Sequence, residues 1–146
     1  MKAWLSLGAN IGDPPAQLAE AIRRIDAHPA IGVIRQSSVL ATKPWGKTDQ
    51  PDFANQAVAV ETSLEPLELL DVMLGIELDM GRVRQEVWGP RLIDIDMIAY
   101  ERVEMTTPRL TLPHPHAHER DFVLVPLGEI DADVVAWLLE RKSPLP

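Results

Sequence analysis

Trp-Gly-Pro-Arg-Leu-Ile-Asp-Ile-Asp-Met-Ile, residues 88–98, is the stretch of sequence from which the fold can be inferred. It begins with turn residues and continues as an alternating segment, which is typical of a strand with one buried face. Successive strand side chains point to opposite faces of a sheet. The face predicted to be buried carries Ile93, Ile95, Met97 and Ala99. Asp94 and Asp96 are predicted to share the opposite face.

Asp94 and Asp96 form a candidate metal site. At about 3.3 Å per residue their Cα atoms lie roughly 6.6 Å apart, so both carboxylates can reach the same one or two cations. Aspartate is disfavoured in strands, and two like charges on one face repel unless something neutralises them. Arg91 could hold an anion against such cations, which favours a metal–phosphate site. The alternative is that both aspartates lie on the solvent face of a half-exposed strand.

Composition restricts the possible classes of function. The 146 residues fit one domain, residues 1–146, with a hydrophobic fraction of 46%. Absence of cysteine excludes disulfides and thiolate-ligated zinc. A net charge of −8 disfavours non-specific binding to nucleic acid or anionic membranes. We see neither a signal peptide nor an apolar run of about 18 residues. We therefore expect a cytoplasmic protein that binds neither nucleic acid nor membranes.

The remaining segments predict an α+β fold. Strands are expected at residues 2–8, 31–41 and 53–62, and helices at Asp13–His28, Pro66–Gly81 and Asp133–Lys142. The apolar stripe expected for the second helix consists of Leu67, Leu70, Leu74 and Leu78. The order βαββαβ with a C-terminal extension fits a ferredoxin-like antiparallel sheet with helices packed on one face.

Two kinds of side chain outside this strand could contact a ligand. Phe53 and Asn55 are predicted to share a strand face, where a ring and an amide would suit a flat heterocycle. Phe122 follows the charged segment Glu119–Asp121. For both phenylalanines, the alternative is a place in the core. Three histidines lie within residues 114–118. Exposed loop positions are the first interpretation and a single anion contact the second, because so short a segment with proline is poorly suited to binding zinc through all three.

Arginines are concentrated in one part of this acidic chain. Arg82, Arg84 and Arg91 lie within ten residues, and Arg109 and Arg120 follow. They suit a small anion, although a solvated or ion-paired set would have the same sequence pattern. Standard nucleotide-binding glycine loops and acyl-transfer nucleophile motifs are absent from the sequence.

Taken together, these motifs resemble the 6-hydroxymethyl-7,8-dihydropterin pyrophosphokinase family over nearly the whole chain. The segments that carry the resemblance are Leu7–Gly12, Gln50–Asn55, Glu77 with Gly81-Arg82, Trp88–Asp96, and Pro113-His114 with Arg120 and Phe122. The pattern Trp-Gly-Pro-Arg-x-x-Asp-[Leu/Ile]-Asp is highly specific. The stretch at Gln85–Val87 is a residue shorter than in familiar members, and Val87 replaces a common basic residue.

The resemblance implies transfer of the β,γ-pyrophosphoryl group of MgATP to the pterin hydroxymethyl group, with release of AMP. Asp94 and Asp96 would hold two Mg²⁺ ions, which prefer carboxylate and phosphate oxygens. The resemblance further implies that the phosphates are bound by Arg82 and Arg91, aided by His114 and Arg120. The catalytic set is then Arg82, Arg91, Asp94 and Asp96.

The resemblance also implies separate pterin and ATP contacts. Phe53 and Phe122 would stack on the pterin, and its edges would be bound by Asn55, Thr42, Pro44 and Trp45. Further ATP contacts would come from Glu77, Arg84, Trp88 and Ile98. Glu77 borders the apolar stripe predicted for the second helix, so the alternative is that its side chain simply extends into solvent. The expected partners are these two small molecules, and the expected state is a monomer.

Two alternatives remain open on sequence alone. An ordinary kinase would use the same metal–phosphate chemistry but release ADP. A non-catalytic ferredoxin-like domain would bind a ligand on the same face without turnover, and replacement of Asp96 by alanine would then leave binding intact.

Overall fold

The computed structural model describes residues 1–42, 53–81 and 93–142. The strands are β1 (Lys2–Ala9), β2 (Ile31–Gln36), β3 (Leu40–Thr42), β4 (Phe53–Thr62), β5 (Asp94–Tyr100), β6 (Met105–Thr106) and β7 (Thr111–Leu112). The helices are α1 (Pro14–Ala27), α2 (Pro66–Gly81), α3 (Asp121–Ile130) and α4 (Ala132–Lys142), with a 3-10 turn at Ala117–Glu119. In this described part of the chain, no helix has the length and apolar character needed to cross a membrane.

The main sheet has the strand order β2-β4-β1-β5, and β3 extends it by pairing with β4. Each of these pairings is antiparallel, so β1 and β2 run parallel to each other on either side of β4. Helix α1 connects β1 to β2. The short strands β6 and β7 form a separate hairpin. The fold is therefore a mixed α/β arrangement around an antiparallel sheet.

One face of the sheet is covered by α1 and α2. Ala3, Leu5 and Leu7 of β1 are buried there, as their alternation predicts. Helix α1 begins as expected at Asp13, whose carboxylate accepts a hydrogen bond from the amide of Ala16. The main core therefore lies between this face and the first two helices.

The opposite face is covered by α3 and α4, which follow the βαββαβ core in the sequence. The two helices of that core lie on one face as predicted. Trp4 of β1 and Ala57 of β4 pack there against Val123 and Leu127 of α3. The sequence reading missed α3, which contains Pro126, a residue that is usually unfavourable inside a helix. The final helix was predicted and lies at Ala132–Lys142.

The strand expected at residues 31–41 is divided into β2 and β3. Ser37 lies at the division, and its hydroxyl accepts a hydrogen bond from the amide of Ala57 at 2.9 Å. Its carbonyl accepts another from the side chain of Gln56 at 2.7 Å. Side-chain bonds of this kind compete with strand pairing, which explains the bend.

The alternation expected along β5 holds only as far as Met97. The pairing with β1 shifts register between Trp4 and Leu5, opposite Ile98. This bulge places Ile98 and Ala99 together against α3, so the prediction that Ala99 shares the face of Ile93 was wrong. Asp94 and Asp96 precede the bulge and keep the orientation that their spacing predicts.

Helix α2 has the expected bounds but buries a different face. Its buried residues are Leu69, Met73, Ile76 and Met80, whereas Leu74 and Leu78 are exposed. Leucines occur all around this helix, so apolar periodicity alone did not identify the buried side.

This difference can be tested by two truncations. Replacement of Met73, which is 1% exposed, by alanine is expected to lower the free energy of unfolding by about 2–5 kcal/mol, because it leaves a cavity. Replacement of Leu74, which is 45% exposed, is expected to cost less than about 1 kcal/mol. Chemical denaturation measures both losses. A larger loss at Leu74 would support the stripe predicted from sequence.

Candidate active site

The candidate site lies on the sheet face that carries α3. In one row across the sheet, Gly8 of β1 pairs with Asn55 of β4 on one side and with Asp94 of β5 on the other. Directly paired residues in antiparallel strands point to the same face. With neighbouring strands about 4.8 Å apart, the Cα atoms of Asn55 and Asp94 are roughly 10 Å apart. An amide and a carboxylate therefore border a floor made by glycine.

The next row repeats this arrangement. Ser6 pairs with Ala57 on β4 and with Asp96 on β5. Both central residues of the floor are small, so space remains between the aspartates and the strand that carries Asn55. A Cβ atom at Gly8 would lie 3.2 Å from the Asn55 Oδ1 atom, which is a tight contact. We refer to Ser6 and Gly8 as the small-residue floor.

Asp94 is exposed and Asp96 is half-buried on this face. Both offer carboxylate oxygens, the ligand type that Mg²⁺ prefers. In the described ranges, no cluster of three or more histidine, cysteine, aspartate or glutamate side chains could enclose a metal ion. Two carboxylates alone suit Mg²⁺, which usually takes one or two protein carboxylates and completes its shell with water and substrate phosphates. The donor set therefore fits a metal that arrives with a nucleotide.

Glu77 reaches β5 from α2. Its Oε2 atom accepts a hydrogen bond of 2.7 Å from the backbone amide of Ile95, which lies between the two aspartates. Of the two alternatives considered from sequence, a purely solvent-facing glutamate is therefore wrong. The carboxylate holds the strand segment that carries Asp94 and Asp96.

His114 follows the β6–β7 hairpin and joins β5 through a hydrogen bond of 2.8 Å from its amide to the carbonyl of Ile98. Burial is the largest influence on His114 and lowers its pKa. The nearby Asp96 carboxylate raises this pKa, and the positive charge of Arg120 lowers it. Its Nδ1 atom accepts a hydrogen bond from the amide of His116 at 3.1 Å. A neutral imidazole therefore carries its proton on Nε2, where it can donate to an anion.

Phe53 and Phe122 are exposed aromatic residues in the described part of this face, with 37% and 39% of their surface accessible. Both are too exposed for the core position that was the alternative from sequence. The Arg120 guanidinium lies 5.8 Å from the centre of the Phe122 ring, a cation–π contact. Buried Asn55 donates a hydrogen bond of 3.2 Å from Nδ2 to Thr42 Oγ1. These residues provide two rings and an oriented amide.

Several predicted site residues are placed elsewhere or lie outside the described ranges. Ile98 is 1% exposed beneath α3, so its side chain belongs to the core and the predicted ATP contact would have to come from its backbone. Arg109 forms an ion pair with Asp71 of α2. The predicted residues that fall outside the described ranges are Pro44, Trp45, Arg82, Arg84, Trp88 and Arg91, together with the Gln85–Val87 stretch.

The sequence reading missed the small-residue floor. The sequence singles out Gly8 only as part of the segment Leu7–Gly12, and it does not single out Ser6. A usable signal was present, because two small residues two positions apart in an otherwise apolar strand indicate a surface that must stay open. The pairing partners of these residues could not be read from the sequence.

Comparison with known proteins identifies the family of the chain. Residues 4–132 match the model of the family described as 7,8-dihydro-6-hydroxymethylpterin-pyrophosphokinase (HPPK). The chain is 52% identical over 134 residues to 2-amino-4-hydroxy-6-hydroxymethyldihydropteridine pyrophosphokinase of Methylorubrum extorquens, covering 92% of this chain and 85% of the relative. The Bacillus subtilis protein of the same name is 44% identical, with coverage of 88% and 77%.

Solved structures give the same fold. A Plasmodium falciparum HPPK-DHPS structure with pteroate superimposes with a TM-score of 0.69 at 16% identity, covering 88% of this chain. The chain spans 38% of that longer protein. At this level of identity the likeness concerns the fold alone.

Proposed function

The chain belongs to the 7,8-dihydro-6-hydroxymethylpterin-pyrophosphokinase family and transfers the pyrophosphoryl group of ATP to hydroxymethyldihydropterin in folate biosynthesis, and we propose that transfer takes place on the small-residue floor. The observation that carries this proposal is the row Asn55–Gly8–Asp94. An amide that suits a heterocycle and a carboxylate that suits a metal lie on the same face, on either side of a residue that has no side chain. The pterin and the triphosphate can therefore meet on one surface.

We assign Asp94 and Asp96 to two Mg²⁺ ions that enter with ATP. When bound, such ions neutralise phosphate charge and hold the triphosphate in line for displacement. Glu77 keeps the backbone between the two aspartates in place through the Ile95 amide. The carboxylates then require no rearrangement of β5 before the ions bind.

Phosphate binding is assigned to cationic and neutral donors around this strand. His114 lies close enough to Asp96 and to Arg120 for their charges to act on it, and Arg82, Arg84 and Arg91 would complete the set. Charged donors of this type position the transferred group and stabilise negative charge as it develops on the leaving AMP. Together with Trp88, they would form the ATP site, and Arg82 and Arg91 would act with the aspartates in catalysis.

We assign the pterin to the other side of the floor. Phe53 and Phe122 provide stacking surfaces, and Asn55, held by Thr42, provides donors and an acceptor for the heterocycle edge. Pro44 and Trp45 would bind the remaining edge. The hydroxymethyl group would then point across Gly8 toward the phosphates, since the reacting groups must approach to about 3–3.5 Å.

The wider assignments also remain proposals. The strand order and the parallel β1 and β2 separated by β4 support a ferredoxin-like classification with a C-terminal extension made by α3 and α4. We further propose a monomeric, cytoplasmic enzyme that binds these two small molecules and neither nucleic acid nor membranes.

The decisive experiment separates pyrophosphoryl from phosphoryl transfer. The protein is incubated with MgATP and 6-hydroxymethyl-7,8-dihydropterin, and the nucleotide products are separated by chromatography. AMP is expected in equal amount to the pterin diphosphate, and it should be absent when the pterin or Mg²⁺ is omitted. Release of ADP would contradict the proposal and favour an ordinary kinase.

A further inference from the structure

We propose that Glu129, at the C-terminal end of α3, is a positioning residue that sets the distance between the two pterin-stacking rings. Phe53 is the first residue of β4, and Phe122 lies in the first turn of α3. Their separation therefore depends on where α3 lies along the sheet. The inference rests on the pterin site proposed above and concerns a residue that lies outside it.

Apolar packing alone leaves the position of α3 along the sheet weakly specified. Beneath Val123 and Leu127 the sheet presents the methyl groups of Ala57 and Ala59, beside the larger side chains of Trp4 and Ile98. Apolar contacts are not directional, so a helix can shift a short distance along its axis while it keeps most of its buried area. Directional hydrogen bonds oppose a shift of this kind, because they weaken steeply when distance or angle changes.

Glu129 supplies two such bonds. Its Oε1 atom accepts a hydrogen bond from the Ser38 amide, and its Oε2 atom accepts one from the Ser38 hydroxyl, both at 2.8 Å. Hydrogen bonds to an ionised carboxylate are about twice as strong as neutral ones. Ser38 is adjacent to Ser37, which is itself bonded to Ala57 and Gln56 of β4. The helix is thereby held to a fixed point of the sheet.

The same bend leads directly into the pterin-binding strand. Two residues after Ser38, β3 begins and pairs with β4 so that Thr42 lies opposite Phe53. Thr42 also accepts the hydrogen bond from Asn55. Glu129 therefore connects the helix that carries Phe122 to the strand that orients Asn55. Arg35 of β2 also donates a hydrogen bond to the carbonyl of Ile130, the last residue of α3, and Trp4 of β1 donates one to Asp131 directly after it. These bonds hold the same end of the helix, but neither comes from the segment that leads into β3.

The test compares Glu129→Ala with Glu129→Gln, and uses Glu140→Ala on α4 as a matched control for loss of one exposed carboxylate. For Glu129→Ala we expect KM for the pterin to rise about fivefold, while kcat and KM for ATP change less than about twofold. Glu129→Gln keeps an acceptor and a donor for Ser38, so it should restore most of the affinity. Glu140→Ala should match the unmodified protein.

A double-mutant cycle with Ser38→Ala links the effect to the proposed contact. The two substitutions together should raise KM for the pterin less than the product of the single effects, because both remove the same bond. An unchanged KM for the pterin, with or without a lower melting temperature, would overturn the inference, and so would equal increases in the two KM values.

The two proposals can fail separately. If the unmodified protein forms no AMP, the proposed function fails. If it is active and Phe122→Ala raises KM for the pterin while Glu129→Ala does not, the positioning role alone is wrong.

Discussion

Replacement of Asp96 by asparagine is expected to lower kcat about 10³-fold, equivalent to about 4 kcal/mol of transition-state stabilisation. Asparagine has the same shape but lacks the charge that holds a divalent cation. Asp96 is half-buried and pairs with Ser6, so the substitution introduces no steric conflict. Steady-state turnover with MgATP measures the effect, with Asp133→Asn at an exposed position of α4 as the charge-matched control.

The stability of the same variant distinguishes a metal ligand from a structural residue. Without Mg²⁺, Asp94 and Asp96 repel each other on one strand face, so Asp96→Asn should be at least as stable as the unmodified protein. Thermal unfolding in EDTA measures this. Added MgATP should then raise the melting temperature of the unmodified protein more than that of the variant. Near-normal turnover would support the alternative that both aspartates merely face solvent.

Replacement of Phe122 by alanine is expected to weaken pterin binding about 10- to 100-fold, because a ring that stacks on a base is worth about 1–3 kcal/mol. KM for ATP should change less than about twofold. The ring is 39% exposed, so its removal leaves little cavity and should have a small effect on folding. Binding of the pterin to each variant can be measured by calorimetry.

Val125→Ala is the matched control for this substitution. Val125 lies one turn along α3 and is also an exposed apolar residue, at 57%. It should leave both affinities unchanged. Equal losses of pterin and ATP affinity in Phe122→Ala would contradict a stacking role and would indicate a general displacement of α3.

Local patterns predicted the features of this fold that depend on local physics. The alternation of Ile93 and Ile95, the cap at Asp13 and the extent of α2 follow from side-chain period and turn chemistry, and each was confirmed. The side of α2 that faces the core was not predictable, because the helix itself carries leucines on all of its sides. Which leucine is buried depends on the sheet beneath it, and that is tertiary information.

The candidate site was predictable in its chemistry but only partly in its geometry. The Asp-x-Asp spacing placed Asp94 and Asp96 on one face without any knowledge of the neighbouring strands. Gly8 acquires its role from its pairing with both Asn55 and Asp94, a relation between three distant segments. The bulge at Ile98 is likewise a property of strand pairing, so the core position of that side chain could not be foreseen.

The hydrogen bond from Ile95 to Glu77 has a consequence for self-association. Strand β5 ends the described order of the main sheet, and the unpaired amides of such a strand can recruit a strand from another molecule. Glu77 occupies the Ile95 amide, and the His114 amide occupies the carbonyl of Ile98. Glu77 and His114 therefore also protect this edge of the sheet from pairing with another molecule. Selection to keep the protein dispersed would act on them even in the absence of turnover.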